Sequence, residues 1–88
     1  MDEAKWYVVH TYSGYENKVL TSLEAVIENR NLHDLIQEVT IPYQTSEEIK
    51  DGKQIIKKEM LFPSYVFVKM VLTDETWYIV RNTRGVTG

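Results

Sequence analysis

The sequence predicts an α+β fold of the split βαβ plan: an antiparallel sheet with its helices packed on one face and a β-hairpin projecting from it. Three observations predict it. Runs rich in aromatic and β-branched residues recur at positions 6–12, 36–45 and 65–71, a composition that favours strands. Apolar residues at helical spacing follow the first of these runs and the last. An Asp51-Gly52 pair stands between two short, polar, strand-like runs and marks a tight hairpin, because both central positions of a type I′ turn need φ > 0. At 88 residues the chain is long enough for one small domain and no more.

The first strand is Trp6-Tyr7-Val8-Val9-His10-Thr11-Tyr12. Alternation puts Trp6, Val8, His10 and Tyr12 on one face and Tyr7, Val9 and Thr11 on the other. Neither set is plainly polar, so one face is expected to be covered and the other partly covered or used by a partner. Ser13 and Glu16 then have capping-box spacing, which predicts a Ser hydroxyl on a free amide of the first helical turn and a Glu reaching back. Val19, Leu20, Leu23, Val26 and Ile27 form one apolar stripe on a helix from about Gly14 to Arg30. Ile36 to Thr45 reads as a second strand, at an edge or ending at Pro42, because proline cannot donate to a ladder.

The hairpin is expected over Glu47 to Lys58, too polar to hold a core of its own. Tyr65 to Val71 is the most apolar segment and is expected at the centre of the sheet. Thr73 or Asp74 can cap a short helix through about Val80 that places Trp77 and Val80 on one face. Arg81 to Gly85 breaks that helix, and Val86-Thr87-Gly88 reads as the start of a further strand.

Composition removes several classes of function. Cysteine is absent, which excludes disulfides, thiolate metal sites and cysteine nucleophiles, and makes an intracellular origin the simplest reading. No apolar run approaches the roughly 18 residues needed to span a bilayer, and the opening Met1-Asp2-Glu3-Ala4-Lys5-Trp6 lacks the apolar centre of a secretory signal. His10 and His33 have no ligand spacing, no glycine-rich phosphate loop follows a strand, and no serine sits in a nucleophile motif, so no metal, cofactor or enzymatic activity is expected. The net charge of −3 hides an asymmetry: residues 1–49 hold three bases against nine acids, residues 50–88 seven bases against four acids. A general polyanion binder carries a strong basic excess, so any nucleic-acid contact is expected to be local and in the second half.

Three blocks carry a family resemblance. Trp6-Tyr7-Val8-Val9-His10-Thr11-Tyr12-Ser13-Gly14-Tyr15-Glu16-Asn17-Lys18 closely resembles the opening of the bacterial NusG family of transcription elongation factors. Phe62-Pro63-Ser64-Tyr65-Val66-Phe67-Val68 resembles that family's Phe-Pro-Gly-Tyr-Val strand, with Ser64 where the family usually has Gly. The run from Trp77 to Gly88 resembles its helix and following turn. The blocks stand in the family's order and spacing and cover nearly the whole chain.

The resemblance implies a ferredoxin-like NGN domain over residues 1–88, cut short at its C-terminal end and lacking the family's KOW domain. It implies a cytoplasmic factor, without cofactor or small-molecule substrate and away from membranes, that modulates pausing, processivity, termination and antitermination. Its partners would be the clamp helices of the largest RNA polymerase subunit and, weakly and locally, the non-template DNA strand. The positions matching the polymerase-binding surface are Trp6, His10, Phe62, Tyr65 and Phe67; those matching the nucleic-acid-binding segment are Asn82, Thr83 and Arg84, with Arg81 a weaker candidate. Lys50, Lys53, Lys57 and Lys58 on the hairpin read first as solvated charges. An alternative is a single-stranded RNA-binding module of the RRM type, since the topology is shared and Tyr7, Tyr65 and Phe67 loosely resemble its stacking residues. A small ligand-binding domain of the same shape is a third reading, with no specific motif.

Overall fold

The computed structural model describes residues 3–88; Met1 and Asp2 of the acidic opening lie outside the described residues. Its elements are β1 (Lys5–His10), α1 (Glu16–Asn29), β2 (Ile36–Thr40), β3 (Tyr43–Lys50), β4 (Lys53–Met60), β5 (Tyr65–Met70) and α2 (Asp74–Arg81). β5 lies between β1 and β2 and pairs antiparallel with both, as its apolar sequence predicts. The C-terminal residues run along the outer edge of β1. Thr11 bridges Val86, the His10 amide donates to the Gly88 carbonyl at 3.0 Å, and the Thr87 amide donates to the His10 carbonyl at 2.8 Å.

One side of the sheet carries the core. Val9 from β1, Ile36 from β2 and Val66, Val68 and Met70 from β5 are buried against Val19, Leu23 and Ile27 of α1 and Ile79 and Val80 of α2. The helical stripe read from the sequence is therefore the buried one, with Leu20 and Val26 half-buried at its margins. Gly85 closes the far end. Its φ is +100°, and a Cβ there would stand 3.0 Å from the Tyr15 ring and 3.1 Å from Val19, so the backbone approaches α1 as closely as only glycine permits.

Two local expectations are corrected. Ser13 does not cap α1: the cap position is Tyr15 and no side chain caps it, while Glu16 does reach back, to the Gly14 amide at 3.3 Å. Gly14, with φ +87°, stands between Ser13 and the Tyr15 cap position. The second strand does not run from Ile36 to Thr45. It stops at Thr40, and the chain passes through Ile41, which is buried, and half-buried Pro42 into β3. On α2 the buried set is Thr76, Ile79 and Val80, and Trp77 lies beside it, 48% exposed, with the Arg81 guanidinium 4.7 Å over its ring. Of the two candidate caps of α2 it is Thr73 that serves: its hydroxyl accepts from the Thr76 amide at 3.0 Å and the Thr76 hydroxyl accepts from the Thr73 amide at 2.9 Å.

The hairpin is longer than its polar sequence suggests. β3 and β4 pair over eight residues each, from Tyr43–Met60 at the base to Lys50–Lys53 at the tip. Asp51 and Gly52 take φ of +54° and +74°, the turn their identities call for. Eight residues of strand reach roughly 26 Å, about half of the molecule's longest extent of 54 Å. Only its base is anchored, by Tyr43 and Met60 packed on the core. Farther out, Lys57 pairs with Glu48 at 3.2 Å, and Ile49 and Ile56 are exposed.

Candidate functional site

Among the described residues nothing covers the side of the sheet opposite the helices, and the strand registers decide what stands on it. In the β1–β5–β2 order, Trp6 lies opposite Lys69 and Lys69 opposite Glu38. The next row is Val8, Phe67 and Thr40, and the next is His10 and Tyr65. The His10 and Tyr65 rings are 5.1 Å apart, and the Phe67 ring is 5.9 Å from that of Phe62, which reaches the same face from the loop before β5. Trp6, Val8, Phe62 and Tyr65 are 51%, 61%, 50% and 38% exposed. Trp6, His10, Phe62, Tyr65 and Phe67 thus share one open face. Val8, between Trp6 and His10, belongs with them; alternation had placed it on their face, but no motif singled it out.

An open apolar area built on a sheet is rigid and already desolvation-prone, which suits it to bury a partner's side chains at low ordering cost. Two devices hold its rim. The Thr87 hydroxyl shares a hydrogen bond of 2.9 Å with His10 Nδ1, which fixes the imidazole on the face. The loop from Phe62 to Tyr65 is held by Glu16. This carboxylate is 2% exposed, and its Oε1 accepts from the Ser64 amide at 3.1 Å as well as from Gly14. Hydrogen bonds from its own amide and from those of Ser64 and Gly14 keep its pKa below the ordinary carboxylate value, against burial, which works the other way. Ser64 has φ +71°, so the loop does require the left-handed conformation that glycine takes without strain. The Ser64 carbonyl accepts from the Thr11 amide at 2.8 Å, tying the loop to β1 as well.

The stacking trio of the RNA-binding alternative does not assemble. Tyr7 lies opposite Val68 and packs on the core side, whereas Tyr65 and Phe67 are on the open side.

Asn82, Thr83 and Arg84 form the turn after α2, away from the aromatic face. Asn82 Nδ2 donates to the Tyr78 carbonyl at 2.8 Å and the Thr83 hydroxyl to the Ile79 carbonyl at 2.8 Å. The Tyr78 carbonyl also takes the Asn82 backbone amide at 3.0 Å, so both side chains are tied back to the end of α2, Asn82 keeping its Oδ1 and a second N–H, and Thr83 its hydroxyl oxygen, for other partners. Arg84 has its donors unspent among the described residues and is exposed.

No group of acidic, histidine or cysteine side chains among the described residues could hold a metal ion, and no helix among them is long and apolar enough to cross a membrane.

Comparison with known proteins gives one answer at every level. The family model described as "Transcription termination factor nusG" matches residues 4–88. The chain is 52% identical over 86 residues to the transcription termination/antitermination protein NusG of Bacillus subtilis (strain 168), covering 98% of this chain and 49% of that protein. It is 54% identical to the protein of the same description from Halalkalibacterium halodurans, covering 98% of this chain and 48% of the relative. A solved structure titled "Domain interaction in Thermotoga maritima NusG" superposes with a TM-score of 0.74 at 36% identity, covering 98% of this chain and 45% of that one. The chain thus spans about half the length of the relatives it matches.

Proposed function

This chain belongs to the NusG family, and from that premise we propose that it is the polymerase-docking part of a cytoplasmic transcription elongation factor. Its open sheet face receives the paired clamp helices of the largest RNA polymerase subunit. The single observation that supports this is the row of rings from Phe62, Phe67, Tyr65 and His10, with Trp6 and Val8 beside it, on a face that none of the chain's own helices covers. Apolar anchors on a flat, rigid base are what a helical partner needs, because a few fully buried side chains supply most of the affinity of such an interface. Lys69 and Glu38, adjacent on the face's margin, offer both signs of charge to fix the angle at which helices lie across it.

The mechanism follows from position rather than from bond chemistry. A body bound to the clamp and lying across the nucleic-acid cleft resists clamp opening, and with it backtracking. Placed at the upstream edge of the bubble it favours reannealing of the duplex, so pausing, processivity, termination and antitermination all respond. The turn Asn82-Thr83-Arg84 lies on the side facing the non-template strand. There the acceptor oxygens of Asn82 and Thr83 can meet amino groups on unpaired bases, and Arg84 a phosphate.

Titration of the chain with a coiled-coil fragment of the clamp helices tests the docking. Micromolar binding is expected, weakened about tenfold or more by Tyr65→Ala, as for a central aromatic anchor. No binding by the wild-type chain, or a Tyr65→Ala variant that binds as the wild type does, would overturn it.

A further inference from the structure

His10 ends β1 on the open face, and residues 86–88 hold it from the side. The His10 amide donates to the Gly88 carbonyl at 3.0 Å, and the His10 carbonyl accepts from the Thr87 amide at 2.8 Å. These two bonds set where the Thr87 side chain stands, although it is 77 positions away in the sequence. Its hydroxyl oxygen lies 2.9 Å from His10 Nδ1 and 3.2 Å from the His10 carbonyl oxygen. Threonine is β-branched and stiff at χ1, so the hydroxyl stays there with little loss of freedom. From the neighbouring strand the Tyr65 ring, 5.1 Å away at 45°, flanks the imidazole.

The two hydroxyl contacts bear on where the imidazole proton sits. A hydroxyl has one proton to give. If Nδ1 carries a hydrogen, it donates to Thr87 Oγ1 and the hydroxyl donates on to the His10 carbonyl, so both contacts are hydrogen bonds. If Nδ1 is bare, the hydroxyl serves Nδ1 or the carbonyl, and lone pairs face each other across the contact that is left. The carbonyl has a second lone pair for the Thr87 amide, so this relay displaces nothing. It favours the proton on Nδ1, because the bond made at one ring nitrogen sets the state of the other. Nε2 is then bare. His10 is exposed, and no donor meets its Nε2 among the described residues.

We propose that Thr87 is a positioning residue of the docking face: it keeps the His10 proton on Nδ1, so that Nε2 is offered to the docked helices as a hydrogen-bond acceptor and selects a donor side chain there. The inference rests on the docking function proposed above and adds a polar rule to a largely apolar contact. Apolar contact with Trp6, Val8, Phe62 and Phe67 discriminates weakly, since one hydrophobic group replaces another at small cost. A covered imidazole nitrogen discriminates more sharply. An amide, hydroxyl, ammonium or guanidinium opposite Nε2 makes a bond. A carboxylate or carbonyl sets lone pair against lone pair, and an aliphatic group leaves Nε2 dry and unpaired. The acceptor also stands at one point of the face, the end of β1, so it fixes the register of the helices as well as the identity of the group.

Imidazole nitrogen NMR spectra and titration with the clamp-helix fragment test it on the 88-residue chain. At about pH 8.5, where imidazole groups are neutral, the wild-type spectrum is expected to show His10 protonated at Nδ1 and bare at Nε2. His33→Gln removes the signal of the chain's other histidine. In Thr87→Val the proton should move to Nε2, while the backbone amide spectrum and the denaturant midpoint stay as in the wild type. At the same pH that variant should bind the fragment about three- to tenfold more weakly, as for one polar contact left unmade. Thr87→Ser should restore both the tautomer and the affinity, which a purely structural role for the side chain would not require. A wild-type His10 with its proton on Nε2 would overturn the inference without recourse to any variant. So would a folded Thr87→Val that binds as tightly as the wild type. In either case, fragment binding that still responds to Tyr65→Ala leaves the docking function standing. A wild-type chain that binds no fragment would overturn the docking function and the acceptor role with it.

Discussion

β5 carries two sets of side chains, each with large apolar members, and the sets have opposite fates. Val66, Val68 and Met70 are buried, while Tyr65, Phe67 and Lys69 on alternate positions look out from the uncovered side. β1 repeats the division, with Val9, and Thr11 just beyond its end, buried and Trp6, Val8 and His10 exposed. Hydrophobicity by itself does not separate the two sets. What separates them is the two-residue period of the strand together with the placement of both helices on one side. The buried set holds the fold together, and the open set, holding the bulkier rings, is available to a partner. Substitutions on one face should act on stability and on the other face on binding, and each variant below can break or sharpen that division.

The largest effect is expected in the core. Leu23→Ala, at a fully buried position of α1, should lower unfolding free energy by about 3 kcal/mol through lost burial and an unfilled cavity, read from denaturant midpoints. Gly85→Ala should follow at about 2–3 kcal/mol, since it adds both a clash at 3.0 Å and a residue disfavoured at φ +100°. On the open face, Phe67→Ala should change stability by less than about 1 kcal/mol but weaken clamp-helix binding by about 2 kcal/mol, a split that a core residue cannot produce. A Phe67→Ala variant that unfolds as readily as Leu23→Ala would erase the distinction between the faces.

Glu16 joins the two regions, because it is buried like a core residue yet braces the loop that carries Phe62. Glu16→Ala should cost about 1–3 kcal/mol by leaving the Gly14 and Ser64 amides without their acceptor, and should also weaken docking as the loop loosens. The pH dependence has a definite sign. Since the folded-state pKa lies below the unfolded one, the charge contributes stability above the unfolded value of about 4.3, and that contribution is lost as pH falls through the lower folded value. Acid titration of stability in the wild type and in Glu16→Gln should therefore diverge in that window and run parallel above it. The smallest effect is a gain: Ser64→Gly should stabilise the chain by about 0.5–1 kcal/mol by relieving its left-handed backbone, with docking unchanged.

Much of this was legible in the residues. Alternation from Trp6 to Thr11 assigned faces correctly, Tyr65 and Phe67 share one side as expected, Asp51-Gly52 fixed the hairpin turn, and of Thr73 and Asp74 it is Thr73 that caps α2. Where the reading failed, a neighbouring backbone conformation had intervened. Ser13 has the right spacing to cap α1, but Gly14, with its positive φ, stands between it and the Tyr15 cap position.

Local physics, acting over a few residues, therefore determined the elements of this protein, their turns and the face on which each strand residue stands, because strand period, helical period and turn conformations depend on near neighbours alone. Pairings across the chain were decided only by the tertiary structure. Glu16 meets Ser64 across 48 positions; Lys18 and Arg84 line one groove; Thr87 anchors His10. Such pairs carry no spacing signal, since their distance is set by how helices and strands stack, and that stacking is a property of the whole core.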